Sequence, residues 1–186
     1  RARLWADEGD RLSVARRMYA FRFGKILPHR DIAVLRGVEG ARMKETYKLV
    51  ADRFRVPWQG RRYDRSNPNA TDIPNQAINH AATFVECAAD VAVAAVGALP
   101  PLGFIHEDSS NAFTLDIADL YRAEVTIPLA FKVARKALDD PTLIIERTLR
   151  REAAMEFRRT KLISNMIERI KELLNVDDGG SNTQRE

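Results

Sequence analysis

Apolar residues recur at helical spacing along nearly the whole chain, and no stretch alternates over the length of a strand. The pattern predicts an all-α protein of about five to seven helices. Leu12, Ala15, Met18 and Tyr19 share one face of a first helix over residues 11–23, which Gly24 stops. Asp31, after Pro28, is placed to cap a second helix carrying Ile32, Leu35, Val38 and Val50 and ending near Phe54, ahead of Pro57. Residues 55–74, rich in Arg, Asn, Pro and Gly, read as one long surface loop. A long Ala/Val-rich helix over 75–99 follows as the central one, closed by Pro100 and Pro101. Helices resume over 114–138, where Pro128 stands to kink or divide the run, and over 141–174. The end, DDGGSNTQRE at 177–186, has no apolar periodicity and reads as a disordered tail, leaving 1–176 as a single helical domain.

At 186 residues the chain has enough length for one sizeable core. Its most apolar stretch, 81–101, contains Glu86 and Asp90 and ends in two prolines, so it reads as a buried helix and not as a membrane span. Cys87 is the only cysteine, which excludes a disulfide framework or a thiolate zinc cluster and fits a reducing cytoplasm. Its setting, TFVECAAD, reads as packed core.

A formal charge of +4 conceals an asymmetry. Residues 1–65 hold 17 Lys and Arg against 8 Asp and Glu, whereas 66–128 hold 1 against 8. A basic first third beside an acidic middle suits a cation site embedded in a phosphate-binding surface, although charged residues also simply coat solvated helix faces.

The chemistry gathers in three segments: GVEGARMKETY at 37–47, GFIHE at 103–107 and LDIADLYR at 115–122. They contain Glu39, His106, and Asp116 with Asp119 one helical turn later. Two or three carboxylates and one imidazole make a hard, oxygen-rich ligand set suited to Mg²⁺ or Mn²⁺, and hence to phosphodiester chemistry. Positions i and i+3 share a helix face, so Asp116 and Asp119 can point the same way. Singly, each residue has an ordinary reading: a solvated Glu, a hydrogen-bonded loop His, two early-turn acids favoured by the helix dipole. His80 with Glu86 and Asp90 is a weaker rival constellation. Gly37 and Gly40 flank Glu39 at about 1 kcal/mol each relative to Ala, which close approach of a DNA backbone or another helix would explain.

The same segments, with RRMYAFRFG at 16–24, LRGVEGAR at 35–42, VPWQGRRYD at 56–64 and AEVTIPLAF at 123–131, resemble the catalytic helical domain of the CRISPR adaptation integrases. The variant they resemble accompanies the Cascade-type interference complex. The resemblance implies a divalent-metal-dependent DNA endonuclease that inserts captured foreign DNA into a CRISPR array. It implies Glu39, His106 and Asp119 as ligands of the Mg²⁺ or Mn²⁺, with Asp116 assisting as a further catalytic residue. Implied partners are double-stranded spacer and repeat DNA and a small companion adaptation protein, with no membrane. Family members also carry an N-terminal β-rich domain that supports a homodimer; this chain opens on Arg1 in helical sequence and reads as lacking it. Arg22, Arg36, Arg42, Arg61, Arg62 and Arg65, with Arg16 and Arg17, are the candidate phosphate contacts, and Trp58 and Tyr63 either stack on a base or form a small core under the loop. The loop after His106 continues Glu107, Asp108, Ser109, which disfavours a phosphate contact there. Two other readings stay open: a structure-selective nuclease on branched DNA or RNA, and a helical DNA-binding module without catalysis.

Overall fold

Ten of the 23 residues of one helix, Ile73–Ala95, are buried, and the rest of the fold is arranged around it. The computed structural model describes residues 2–29, 31–62, 72–107 and 109–174. In chain order the helices are α1 (Ala2–Ala6), α2 (Glu8–Phe23), α3 (Ile32–Phe54), α4 (Ile73–Ala95), α5 (Ala112–Leu120), a π-helical segment (Arg122–Thr126), α6 (Ile127–Asp139), α7 (Ile145–Thr160) and α8 (Leu162–Leu173). Among the described residues there is no strand, as the apolar periodicity predicts. The segment 177–186 lies outside the described residues, as do Tyr63 and Arg65.

Helix ends follow their local chemistry. Asp31 caps α3 by accepting from Ala33 N at 2.7 Å, and Asp72 caps α4 by accepting from Asn75 N at 3.0 Å. Gly24 closes α2 at φ 68°, a left-handed conformation that glycine adopts without a Cβ clash. α4 packs against α5, α6, α7 and α8. Its C-terminal half joins α2, α5 and α8 in one hydrophobic cluster around Tyr19, Phe113, Ile117 and Met166. The N-terminal half joins α6 and α7 in a second around Phe131, Ile127 and Leu149. Burial of a side chain such as Phe131, fully enclosed, contributes roughly 2 kcal/mol.

One expected division is present, and two readings differ from the pattern. The run expected over 114–138 is divided: Thr126 N donates to Tyr121 O at 3.2 Å, widening the helix to π spacing just before Pro128, which has no N–H to continue the α register. The run expected over 141–174 breaks at Lys161, at φ 50°, with neither Gly nor Pro to announce it. Cys87 is exposed, contrary to its reading as core; it shares the outer side of α4 with exposed Thr83 and Val91, four residues to either side.

Candidate active site

The site is built on the turn between α4 and α5. Pro100 O accepts from Phe113 N at 2.8 Å, tying the end of the α4 turn to the start of α5. Gly103 is obligatory here, because a Cβ would lie 2.2 Å from the His106 carbonyl oxygen and 2.6 Å from Ala112 Cβ. Trp5 Nε1 donates to Gly103 O at 2.9 Å, fixing α1 to the same turn.

Asp116 holds this turn in place. Its fully buried carboxylate accepts from Phe104 N at 2.6 Å, Ile105 N at 3.0 Å, His106 N at 3.0 Å and His106 Nδ1 at 2.7 Å. A carboxylate can only accept, so Nδ1 carries a proton, and in the neutral ring Nε2 keeps its lone pair. The hydrogen bond to Asp116 raises the His106 pKa above its ordinary value; burial opposes the rise, and the charges of Asp116 and Asp119 add to it. Asp116 thus supplies the orienting acceptor for His106, and its oxygens are committed to the turn.

Asp119, one turn along α5, places Oδ2 4.0 Å from His106 Nε2. Oδ1 pairs with Arg122 Nη2 at 2.5 Å, and Oδ2 lies 3.5 Å from Arg22 Nη2. Glu39, from α3, meets Arg22 Nη1 through Oε1. Glu39 and Asp119, from two different helices, therefore converge on the Arg22 guanidinium. Glu86 of α4 lies within electrostatic reach; burial raises its carboxyl pKa, the Asp119 charge adds to the rise and Arg122 opposes it.

The structure brings Glu39, His106, Asp116 and Asp119 into one neighbourhood, yet no group of three or more His, Cys, Asp or Glu among the described residues stands close enough together to hold an ion. The Arg22 guanidinium lies between Glu39 and Asp119, contacting both. The rival set does not form among the described residues, and Asp90 accepts from Thr114 Oγ1 at 2.6 Å.

The candidate phosphate arginines are mostly engaged within the fold. Arg36 donates to the Ile105 carbonyl and lines an open cavity of about 360 Å³ with Ile105, His106, Glu107 and Ser109. Arg42 donates to Phe23 O at 3.1 Å, and Arg16 to Leu27 O at 3.5 Å. Arg17 is half-buried. Arg61 donates to Asn75 Oδ1 at 3.0 Å and Asn79 Oδ1 at 2.6 Å, clasping the loop onto α4. Arg62 is exposed, with Gln59 Oε1 at 3.0 Å. Trp58 joins the core side of the loop, its ring centroid 5.2 Å from Tyr47 and 5.3 Å from Phe131. Glu107 is taken up by an ion pair with Arg11. A Cβ added at Gly37 or Gly40 would meet nothing within 4 Å among the described residues, so no described helix accounts for them. Sequence reasoning missed Arg122 and the place of Arg22; the i, i+3 relation of Asp119 and Arg122 was the available signal for the first.

An all-helical domain whose acids and imidazole meet between arginines finds its match among CRISPR-associated proteins. The chain belongs to the Cas1 family: the family model described as CRISPR associated protein Cas1 matches residues 10–142. The CRISPR-associated endonuclease Cas1 of Geobacter sulfurreducens is 36% identical over 174 residues, covering 93% of this chain and 56% of that relative. The endonuclease of the same name from Escherichia coli K12 is likewise 36% identical over 174 residues, with 93% and 56% covered. A solved complex of TtCas1 with DNA superposes with a TM-score of 0.83 at 35% identity, covering 96% of this chain and 64% of that one. The chain thus spans just over half the length of these curated relatives.

Proposed function

We propose that this domain carries the catalytic centre of a metal-dependent DNA endonuclease and integrase that inserts captured DNA into a CRISPR array by phosphodiester transfer. The observation that carries the reading is His106, locked by Asp116 with its Nε2 lone pair toward Asp119, while Glu39 and Asp119 already gather around a cationic group. Hard oxygen donors and one neutral imidazole nitrogen fit Mg²⁺ or Mn²⁺, and the Arg22 guanidinium stands in for positive charge between the two carboxylates. Glu39, His106 Nε2 and Asp119 would hold the ion. The chemistry supplied by a bound ion is activation of water or a DNA 3′-hydroxyl and offset of charge on the phosphate. Asp116 orients His106, and Arg36, which lines the open cavity beside His106, is the proposed phosphate contact there.

Double-stranded DNA is the proposed substrate, supported by the TtCas1 complex with DNA. A small companion adaptation protein and a homodimer are the partners proposed for the whole protein. Among the described residues no helix is long and apolar enough to cross a membrane. The test is a strand-transfer assay on labelled DNA, with Mn²⁺ against EDTA. Glu39→Ala, His106→Ala and Asp119→Ala should each abolish product while keeping helix content, and near-normal activity in two of them would refute the site. Branched DNA in parallel separates integration from structure-selective cleavage, and activity in EDTA would refute metal dependence.

A further inference from the structure

A guanidinium bridging carboxylates of two helices is ordinarily a brace, but Arg22 is an incomplete one. Nη1 meets Glu39, Nη2 lies 3.5 Å from Asp119, and Nε and Nη2 are buried without a hydrogen-bond acceptor. The side chain is only 6% exposed. A buried cation with idle donors is destabilising, and a residue whose sole task was packing would not keep them. Its Cζ sits 5.4 Å from the Tyr19 ring centroid, a platform that does not depend on either carboxylate. Asp119 has its other oxygen on Arg122 at 2.5 Å. Both carboxylates are thus neutralised by side chains at the oxygens an incoming cation would need.

We propose that Arg22 is a positioning residue acting as an internal counter-cation: it keeps Glu39 and Asp119 gathered at one point and gives them up to a divalent cation. The inference rests on the metal-site reading above. Its sign follows from electrostatics. A dication arriving beside the guanidinium meets like-charge repulsion, and both carboxylates must turn from Nη1 and Nη2 to face it. Arg22 therefore weakens divalent binding while stabilising the fold in the absence of the ion. The Tyr19 ring retains the guanidinium after release.

Mn²⁺ binding to the 186-residue chain, read from the electron paramagnetic resonance signal of free Mn²⁺, tests this without recourse to activity. Arg22→Met keeps the apolar stem and removes the charge; it should bind Mn²⁺ about tenfold more tightly than wild type. The same variant should melt lower in EDTA and gain more from Mn²⁺. Equal or weaker Mn²⁺ binding in Arg22→Met would overturn the proposal. Should Arg22→Met lack helix content in EDTA, Arg22→Lys decides by the same measure, since one ammonium cannot bridge both carboxylates: tighter binding than wild type supports the proposal, equal or weaker binding overturns it. Asp119→Ala separates the two levels. If it binds Mn²⁺ as wild type does, the metal-site reading itself fails; if it loses Mn²⁺ while Arg22→Met is unchanged, only the role of Arg22 fails.

Discussion

Replacing Asp116 by Asn changes one atom in a fully buried group and should cost far more than its size suggests. The carboxylate accepts four hydrogen bonds at 2.6 to 3.0 Å, two on each oxygen. An amide presents an acceptor on one side and donors on the other. If the carbonyl faces His106, the N–H groups of Phe104 and Ile105 are left against an NH₂. If the amide nitrogen faces His106, the imidazole must shift its proton to Nε2 and loses its lone pair there, and the His106 N–H is orphaned. Each unsatisfied buried donor costs about 1–3 kcal/mol, so the two left unpaired cost about 2–6 kcal/mol. For a chain of this size that corresponds to a melting temperature lower by roughly 4–24 °C. Urea unfolding followed by circular dichroism reads the loss, and Mn²⁺ titration reads the tautomer. His106→Ala, which removes only the side-chain bond, should cost about 1 kcal/mol and serves as the control. An Asp116→Asn protein within about 1 kcal/mol of wild type would mean that the carboxylate does not hold the turn, and the assigned His106 tautomer would fall with it.

Gly103→Ala forces a Cβ to within 2.2 Å of the His106 carbonyl, so the turn must shift; a loss of about 2–3 kcal/mol in urea is expected, together with weaker Mn²⁺ binding. Arg61→Ala should lower stability by about 1–2 kcal/mol through its lost asparagine bonds. Neutralising Arg62 and Arg65 should instead flatten the salt dependence of DNA binding by about 0.9 per phosphate contact, and an unchanged slope would place the loop away from DNA. Burial works against the Glu152 carboxylate, but hydrogen bonds from Lys132 and Lys136 and their charges outweigh it and hold its pKa below the ordinary value. A depressed carboxyl stabilises above its unfolded pKa and loses that contribution as pH falls through the folded one. Glu152→Gln should therefore destabilise by about 1–2 kcal/mol at neutral pH, given half-exposed lysine heads, and the gap to wild type should close as pH falls below the ordinary carboxyl range and through the depressed folded pKa; a gap independent of pH would exclude the ion pairs as its source.

Helix caps and the acidic centre were legible in the residues because each rests on local chemistry. Asp31 and Gly24 act within one turn of themselves, and Asp116 and Asp119 lie at i and i+3. What escaped reading depends on long-range placement. Asp116 looks like any early-turn acid until the 103–106 backbone folds over it. Lys161 breaks a helix in a left-handed conformation that nothing in its neighbours requires. Cys87 sits among Ala and Val, but its angular position on α4 turns it outward. Arg22 reads as a phosphate contact in a basic segment, and only the packing of α2 against both α3 and α5 encloses it between two carboxylates.

That approach of α3 has a physical peculiarity. Of its 23 residues only Leu35 and Ala51 are buried, so hydrophobic packing holds the helix weakly near Glu39. Polar ties take over: Arg36 to the Ile105 carbonyl, Glu39 to Arg22, Arg42 to the Phe23 carbonyl, spaced three residues apart on one side of the helix. His106 and Asp119, by contrast, stand on a turn and a helix locked by Asp116 and Gly103. The centre is thus a rigid pair and a third acid carried on a helix pinned by arginines. Arg36 and Arg42 were read as phosphate contacts, yet each also fixes the helix that presents Glu39. Neutralising either should therefore weaken Mn²⁺ binding even without DNA, an effect that a pure phosphate contact would not produce. Wild-type Mn²⁺ affinity in both Arg36→Ala and Arg42→Ala would show that α3 keeps its place without them.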